Sequence, residues 1–174
     1  MLTRLKVKGF KNLVNVDVRF GPFACIAGAN GVGKSNLFDA IRFLSALTQN
    51  SLLEAAYSVS NGEGSIGDIR SLFHQVGDGF ASEMSFEAEM IIPAEGVDEL
   101  GQRAKASATL LRYSLALIYL EENAQNVSNP LQIKSEELSY IKIEDADTHI
   151  LFDKNIKWLK SAVHGRRTVK FIET

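Results

Sequence analysis

Residues Phe23–Leu47 read FACIAGANGVGKSNLFDAIRFLSAL: an apolar run, a glycine-rich turn and a long amphipathic segment. Gly28, Gly33, Lys34 and Ser35 fit the pattern G-x-x-x-x-G-K-[ST], with Gly31 as an extra glycine inside it. Glycines let successive backbone N–H groups turn inward toward phosphate oxygens. A lysine at that spacing reaches the outer phosphates as a point charge, a serine hydroxyl can ligate magnesium, and the helix dipole adds to the same field. The bare pattern also fits an ordinary glycine-rich turn with a solvated lysine. The context decides against that. Phe23–Ala27 is apolar throughout, as a strand buried on both faces would be. Leu37, Phe38, Ile41, Leu44 and Leu47 recur at helical spacing. The stretch reads as a nucleoside-triphosphate site built from Gly28, Ala29, Asn30, Gly31, Val32, Gly33, Lys34, Ser35 and Asn36.

Outward from this stretch, the 174 residues suffice for one domain with a full core or for part of a larger one. Apolar residues make up 45% and charged residues 23%, so the composition is that of a soluble globular chain. A net charge of -2 gives no global electrostatic case for nucleic acid, so any such contact must be a local patch. The single cysteine, Cys25, falls in the apolar run and is expected to pack there. No internal disulfide can form, which suits a cytoplasmic protein. The N-terminus, with Arg4, Lys6 and Lys8 among apolar residues, is no signal peptide, and no apolar run approaches a membrane span.

Alternation predicts two half-exposed strands before the loop, through Leu5 and Val7 and then through Val14, Val16, Val18 and Phe20, joined by a turn at residues 9–12. After the helix, Ser51–Val59 adds further helical turns and Asn61–Ser65 a loop. Glu83–Ile92 alternates cleanly, giving a long strand with an acidic outer face. Pro93–Lys105 reads as a loop with a short helix at Val97–Arg103, and Thr109–Glu121 as another long strand. Further strands are expected at Leu131–Ile143 and His149–Phe152. The expected class is therefore α/β: a phosphate-loop strand and helix joined to a large, mostly antiparallel β-subdomain. Residues 1–50 hold the strands, loop and first helix, 51–153 the β-rich middle, and 154–174 a basic tail.

The opening LTRLKVKGFKNLVNVDVRFGPFACIAGANGVGKSNLFDAIRFLSAL resembles the N-terminal ATPase lobe of the SMC/RecF/RecN group, especially its compact RecF-like or OLD-like members. The resemblance rests on the strand into Gly9-Phe10-Lys11-Asn12, the second strand, and the loop with Asn30 and Ser35-Asn36-Leu37. It is strong over residues 1–47 and looser from 68 to 92. It implies an ABC-type P-loop ATPase with ATP and Mg²⁺ as ligands. Lys11 and Asn12 would then lie near the adenosine end. By position, Gln75 in LFHQVGDG is either the magnesium-contacting glutamine of the family or a plain surface residue. Dimerisation or higher assembly through ATPase heads, DNA contact, and a partner nuclease or effector are further implications, in DNA repair, chromosome maintenance or phage defence.

Two family motifs have no match. No Ser-Gly-Gly occurs, and the nearest Walker B imitation, Leu117-Ile118-Tyr119-Leu120-Glu121-Glu122, lacks its aspartate. The chain therefore reads as a first, incomplete N-terminal lobe, expected to bind nucleotide without its own turnover; the catalytic residues are unknown. In the tail, Lys157, Lys160, Arg166 and Arg167, with Lys154 and Lys170, are either a DNA-phosphate contact or a solvated helix face with Trp158 and Leu159 packing inward. The solvated face is the preferred reading. Three alternatives to the ATPase stay open. A small phosphotransferase would use Gly165-Arg166-Arg167 as a lid, and a GTPase would use Asp98-Glu99-Leu100-Gly101 but lacks N-K-x-D. The third is a nucleotide-sensing module without chemistry.

Overall fold

The computed structural model describes residues 1–60, 69–97, 100–120, 130–165 and 169–174. Two strands open the chain, β1 (Leu2–Phe10) and β2 (Leu13–Arg19), paired antiparallel through a turn at Lys11-Asn12. The loop leads into α1 (Lys34–Ala46), followed by α2 (Leu52–Ser60). A small hairpin, β3 (Gln75–Val76) and β4 (Gly79–Phe80), precedes the long β5 (Glu83–Ile91). Next come a second hairpin, β6 (Glu95–Val97) and β7 (Arg103–Lys105), and the long β8 (Leu110–Tyr119) and β9 (Leu131–Tyr140). Two short helices, α3 (Ala146–His149) and α4 (Ile156–Ala162), lead to β10 (Ile172–Glu173). The main sheet has six strands in the order β10-β9-β8-β5-β1-β2, antiparallel throughout.

Period-two alternation builds this sheet. Leu5, Val7, Met84, Phe86, Ala88, Leu115 and Leu117 are buried on one face, where α1 and α2 cover them. Phe10 of β1, Phe43 of α1 and Phe86 of β5 meet with centroids 5.4–6.3 Å apart, which fixes the helix on the sheet. The opposite face carries the charged residues of the alternation. At one end it is covered by the segment through α3 and α4. There Ile91, Leu110, Ile141, Ala146, Ile150 and Val163 form a second core, with Phe152 and Trp158 edge to face at 5.4 Å.

The structure corrects four expectations. Phe23–Ala27 is not a buried strand: Phe23 is 88% exposed, and among the described residues no strand pairs with the run. An apolar segment becomes a doubly buried strand only where neighbours satisfy its backbone groups, and among the described residues β2 pairs only with β1. Cys25 is accordingly exposed rather than packed. The helix expected at Val97–Arg103 is replaced by a hairpin in which Glu95 pairs with Lys105 and Val97 with Arg103. The strand expected at His149–Phe152 is absent, because β9 ends at Tyr140 and the chain turns through α3 to lay Ile150 into the second core. The expectations at Asn61–Ser65, Asp98-Glu99, Glu121-Glu122 and Arg166-Arg167 fall outside the described residues.

One backbone contact locks the tail to the sheet. Gly165 has φ +105°, bridges Ala108, and approaches so closely that a Cβ would sit 2.0 Å from the Ser107 carbonyl oxygen. Thr109 fastens the same segment, its hydroxyl donating to Ala162 O at 2.8 Å and accepting from His164 N at 3.0 Å. Gly165→Ala should lower stability by more than ~1 kcal/mol, since the native φ is incompatible with a side chain. An unchanged urea midpoint would contradict this approach. A glycine wedged in this way is poorly suited to the lid role of the phosphotransferase reading.

Candidate functional site

The glycine-rich loop meets α1 through Gly33, whose φ of 97° is the left-handed conformation that glycine accepts most easily; Gly31 has φ 83°. These turns place the loop directly ahead of the first helical residue, Lys34, where the free N–H groups of the helix lie. The Lys34 ammonium folds back over the loop and donates to the carbonyl oxygens of Gly28 at 2.7 Å and Ala29 at 2.5 Å. Ser35 is exposed on the first turn of α1, within the same stretch.

The first turn of the sheet is pinned against this loop. Lys11 has φ 49°, its N–H donates to Leu72 O at 2.7 Å, and its carbonyl lies 2.7 Å from His74 Nδ1. Its ammonium binds Asp39 Oδ2 at 2.6 Å on α1 and Val59 O at 2.7 Å on α2. Lys11 therefore ties together the sheet and both helices. Asn12 beside it accepts from Asn36 Nδ2 at 2.7 Å and reaches Gly31 O at 3.4 Å. Sequence reasoning missed Asp39, since an acidic residue on a helix surface carries no local signal of a partner 28 positions earlier.

Lys11 and Asn12 also line a cleft of about 380 Å³ with Ser71, Phe73, His74, Gln75 and Phe80. Gln75 is exposed, with its amide 3.3 Å from Gly77 O across the β3–β4 hairpin. The structure thus brings Asn12 to both the loop and the cleft that contains Gln75. It does not bring the described tail residues there. Lys154 donates to Ile150 O at 2.6 Å and pairs with Asp147 at 3.1 Å. Lys157 and Lys160 are exposed on α4 while Trp158 and Leu159 pack inward. Leu117–Tyr119 of the Walker B imitation belong to β8, which pairs antiparallel on both sides.

Residues 1–59 match the RecF/RecN/SMC N terminal domain. The chain is similar to the DNA replication and repair protein RecF of Magnetococcus marinus, 30% identical over 131 residues, which is 74% of this chain and 32% of that protein. It also matches the RecF proteins of Porphyromonas gingivalis and Parabacteroides distasonis, at 44% and 46% identity over 46 residues, or 26% of this chain and 13% of each relative. The chain thus matches well under half the length of these relatives. A solved structure described as "Structural biochemistry of ATP-driven dimerization and DNA stimulated activation of SMC ATPases" aligns with a TM-score of 0.41 at 21% identity, covering 67% of this chain and 63% of that one. No helix among the described residues is long and apolar enough to cross a membrane. With its glycine-rich loop pattern ahead of α1, the chain carries an SMC/RecF-like N-terminal region over the residues that this domain matches.

Proposed function

We propose that this chain binds ATP with magnesium at Gly28–Asn36 and forms the N-terminal part of an ATPase that couples nucleotide binding to assembly and to work on DNA or a partner effector. The observation that carries this reading is the loop itself: two left-handed glycines feeding a helix N-terminus, with the Lys34 ammonium drawn over the loop carbonyls. The donor set fits a triphosphate. Ser35 and Gln75 would serve the metal, which supplies charge neutralisation between the phosphates when bound. Among the described residues no cluster of three His, Cys, Asp or Glu side chains offers an alternative metal cage.

The nucleoside would extend toward the cleft beside Lys11 and Asn12, as the family resemblance implies. The family motif uses an acidic residue to activate water; Leu117–Tyr119 of the nearest Walker B imitation lie in β8, and its Glu121 and Glu122 are outside the described residues. Catalytic completion therefore falls to residues outside the described set or to another chain. Assembly through ATPase heads, DNA contact by Lys157, Lys160, Arg166 and Arg167, a nuclease or effector partner, a phage-defence role and a cytoplasmic location belong to the same proposal. Of the described tail cations, Lys154 and Lys170 are already paired with carboxylates, which leaves Lys157 and Lys160 for the DNA component.

Competition between ATP and GTP for this chain, with phosphate release measured beside transfer to an acceptor, tests the reading. It predicts selective ATP binding and no acceptor phosphorylation. GTP preference or acceptor phosphorylation would replace it with the GTPase or phosphotransferase alternative.

A further inference from the structure

The first turn of the sheet and the phosphate loop fit each other in a way that a ligand contact alone does not explain. Gly33 sits directly beneath the Asn12 carboxamide: a Cβ at position 33 would lie 2.7 Å from Asn12 Oδ1 and 3.1 Å from its Nδ2. The carboxamide is engaged on both sides, accepting from Asn36 on α1 and reaching Gly31 O in the loop. Its backbone cannot drift, because Lys11 is held by Leu72 O, His74, Asp39 and Val59 O. Four separate chain segments therefore fix where this one side chain stands.

We propose that Asn12 is a positioning residue: its carboxamide is a strut between the sheet and the phosphate loop, and it acts on nucleotide by holding Gly31 and Gly33 in their left-handed turns. The inference rests on the nucleotide site proposed above and refines it. Placement near the adenosine end makes Asn12 a ligand contact, whereas the observed bonds commit its polar atoms to the protein. The fit also accounts for the glycine at position 33. That position requires both a positive φ and the absence of a Cβ against Asn12.

Two readouts on the full chain decide this. In nucleotide-free protein, backbone ¹⁵N order parameters at Gly31–Lys34 should fall in Asn12→Ala and in Asn36→Ala. Asn12→Asp, which keeps the Oδ1 acceptor for Asn36 but loses the Nδ2 donor to Gly31 O, should lower them as well. For Mg·ATP, each alanine variant should weaken binding ~3- to 10-fold, the range expected for one net hydrogen bond. The double variant should lose no more than the weaker-binding single one, because both changes break the same strut. An unaltered loop in Asn12→Ala, or losses that multiply in the double variant, would overturn the strut and make Asn12 an independent ligand contact. If wild type binds no ATP, the proposed function fails, while the order parameters still decide the strut.

Discussion

Replacing Glu89 with alanine should destabilise the chain by ~3–5 kcal/mol, because a buried charged partner is removed while its cations remain. The Glu89 side chain is fully buried, and its Oε1 receives Arg4 at 3.3 Å, Arg112 at 3.2 Å and His149 Nδ1 at 2.9 Å. Arg19 lies 4.0 Å from Oε2 and also donates to His149 O at 2.8 Å. One carboxylate thus joins β1, β2 and β8 to α3, the element that brings the second core onto the sheet. The loss approaches the whole stability of an ordinary domain, so urea unfolding should show a much lower midpoint or no folded baseline. A cost below ~1 kcal/mol would mean that the cluster is solvated and of little consequence.

Acid should expose the same group. Burial pushes the Glu89 carboxyl up, but the hydrogen bond from His149 and the charges of His149, Arg112 and Arg4 outweigh it, so it titrates below the ordinary carboxylate range. Its folded-state affinity for protons is lower than in the unfolded chain. The stabilisation it gives is therefore complete above the ordinary value, about 4.3, and is lost as pH falls through the depressed one. Glu89→Gln should flatten this part of the acid unfolding curve. An equally steep curve in the variant would assign acid lability to other carboxylates, with Asp17 beside Arg4 the next to examine.

Lys34→Ala should weaken ATP binding ~10- to 100-fold, the equivalent of losing a charge-assisted hydrogen bond of ~1.5–3 kcal/mol. The lysine has two jobs. Its bonds to Gly28 O and Ala29 O draw the loop closed, and in the proposed site the same ammonium would turn to a phosphate oxygen. Lys34→Arg tests geometry against charge, since the planar guanidinium keeps the charge but cannot present a compact ammonium at the same place. Competition against a fluorescent ATP analogue measures both variants. Affinity equal to wild type in Lys34→Ala would remove this residue from the site.

Much of this was legible in the sequence where a pattern is local. Alternation located β1, β2, β5 and β8, and helical spacing located α1 and α2. The glycine-rich turn ahead of α1 was readable because its residue types and spacing are local. What resisted reading depends on partners far along the chain. Phe23–Ala27 has the composition of a buried strand, but burial needs neighbouring strands, and composition cannot show whether any stand beside it. Glu89 looked like one more acidic residue on an outer face. Its partners come from positions 4, 19, 112 and 149, and only the fold brings α3 over that face. Lys154 was grouped with Lys157 and Lys160 in the basic tail, yet α4 begins at Ile156 and Lys154 pairs with Asp147 outside it. Asn12 was picked out through the family resemblance; its bonds to Asn36 and Gly31 have no sequence signature.

The most direct test of the central claim is a titration of the ¹⁵N-labelled chain with Mg·ATP, followed at the backbone amides of Gly28–Asn36. Saturable shifts concentrated there, extending toward Asn12 and Gln75 and lost in Lys34→Ala, are the predicted result. Loop amides that stay unmoved at saturating nucleotide, or shifts that persist unchanged in Lys34→Ala, would contradict a nucleotide site at this loop.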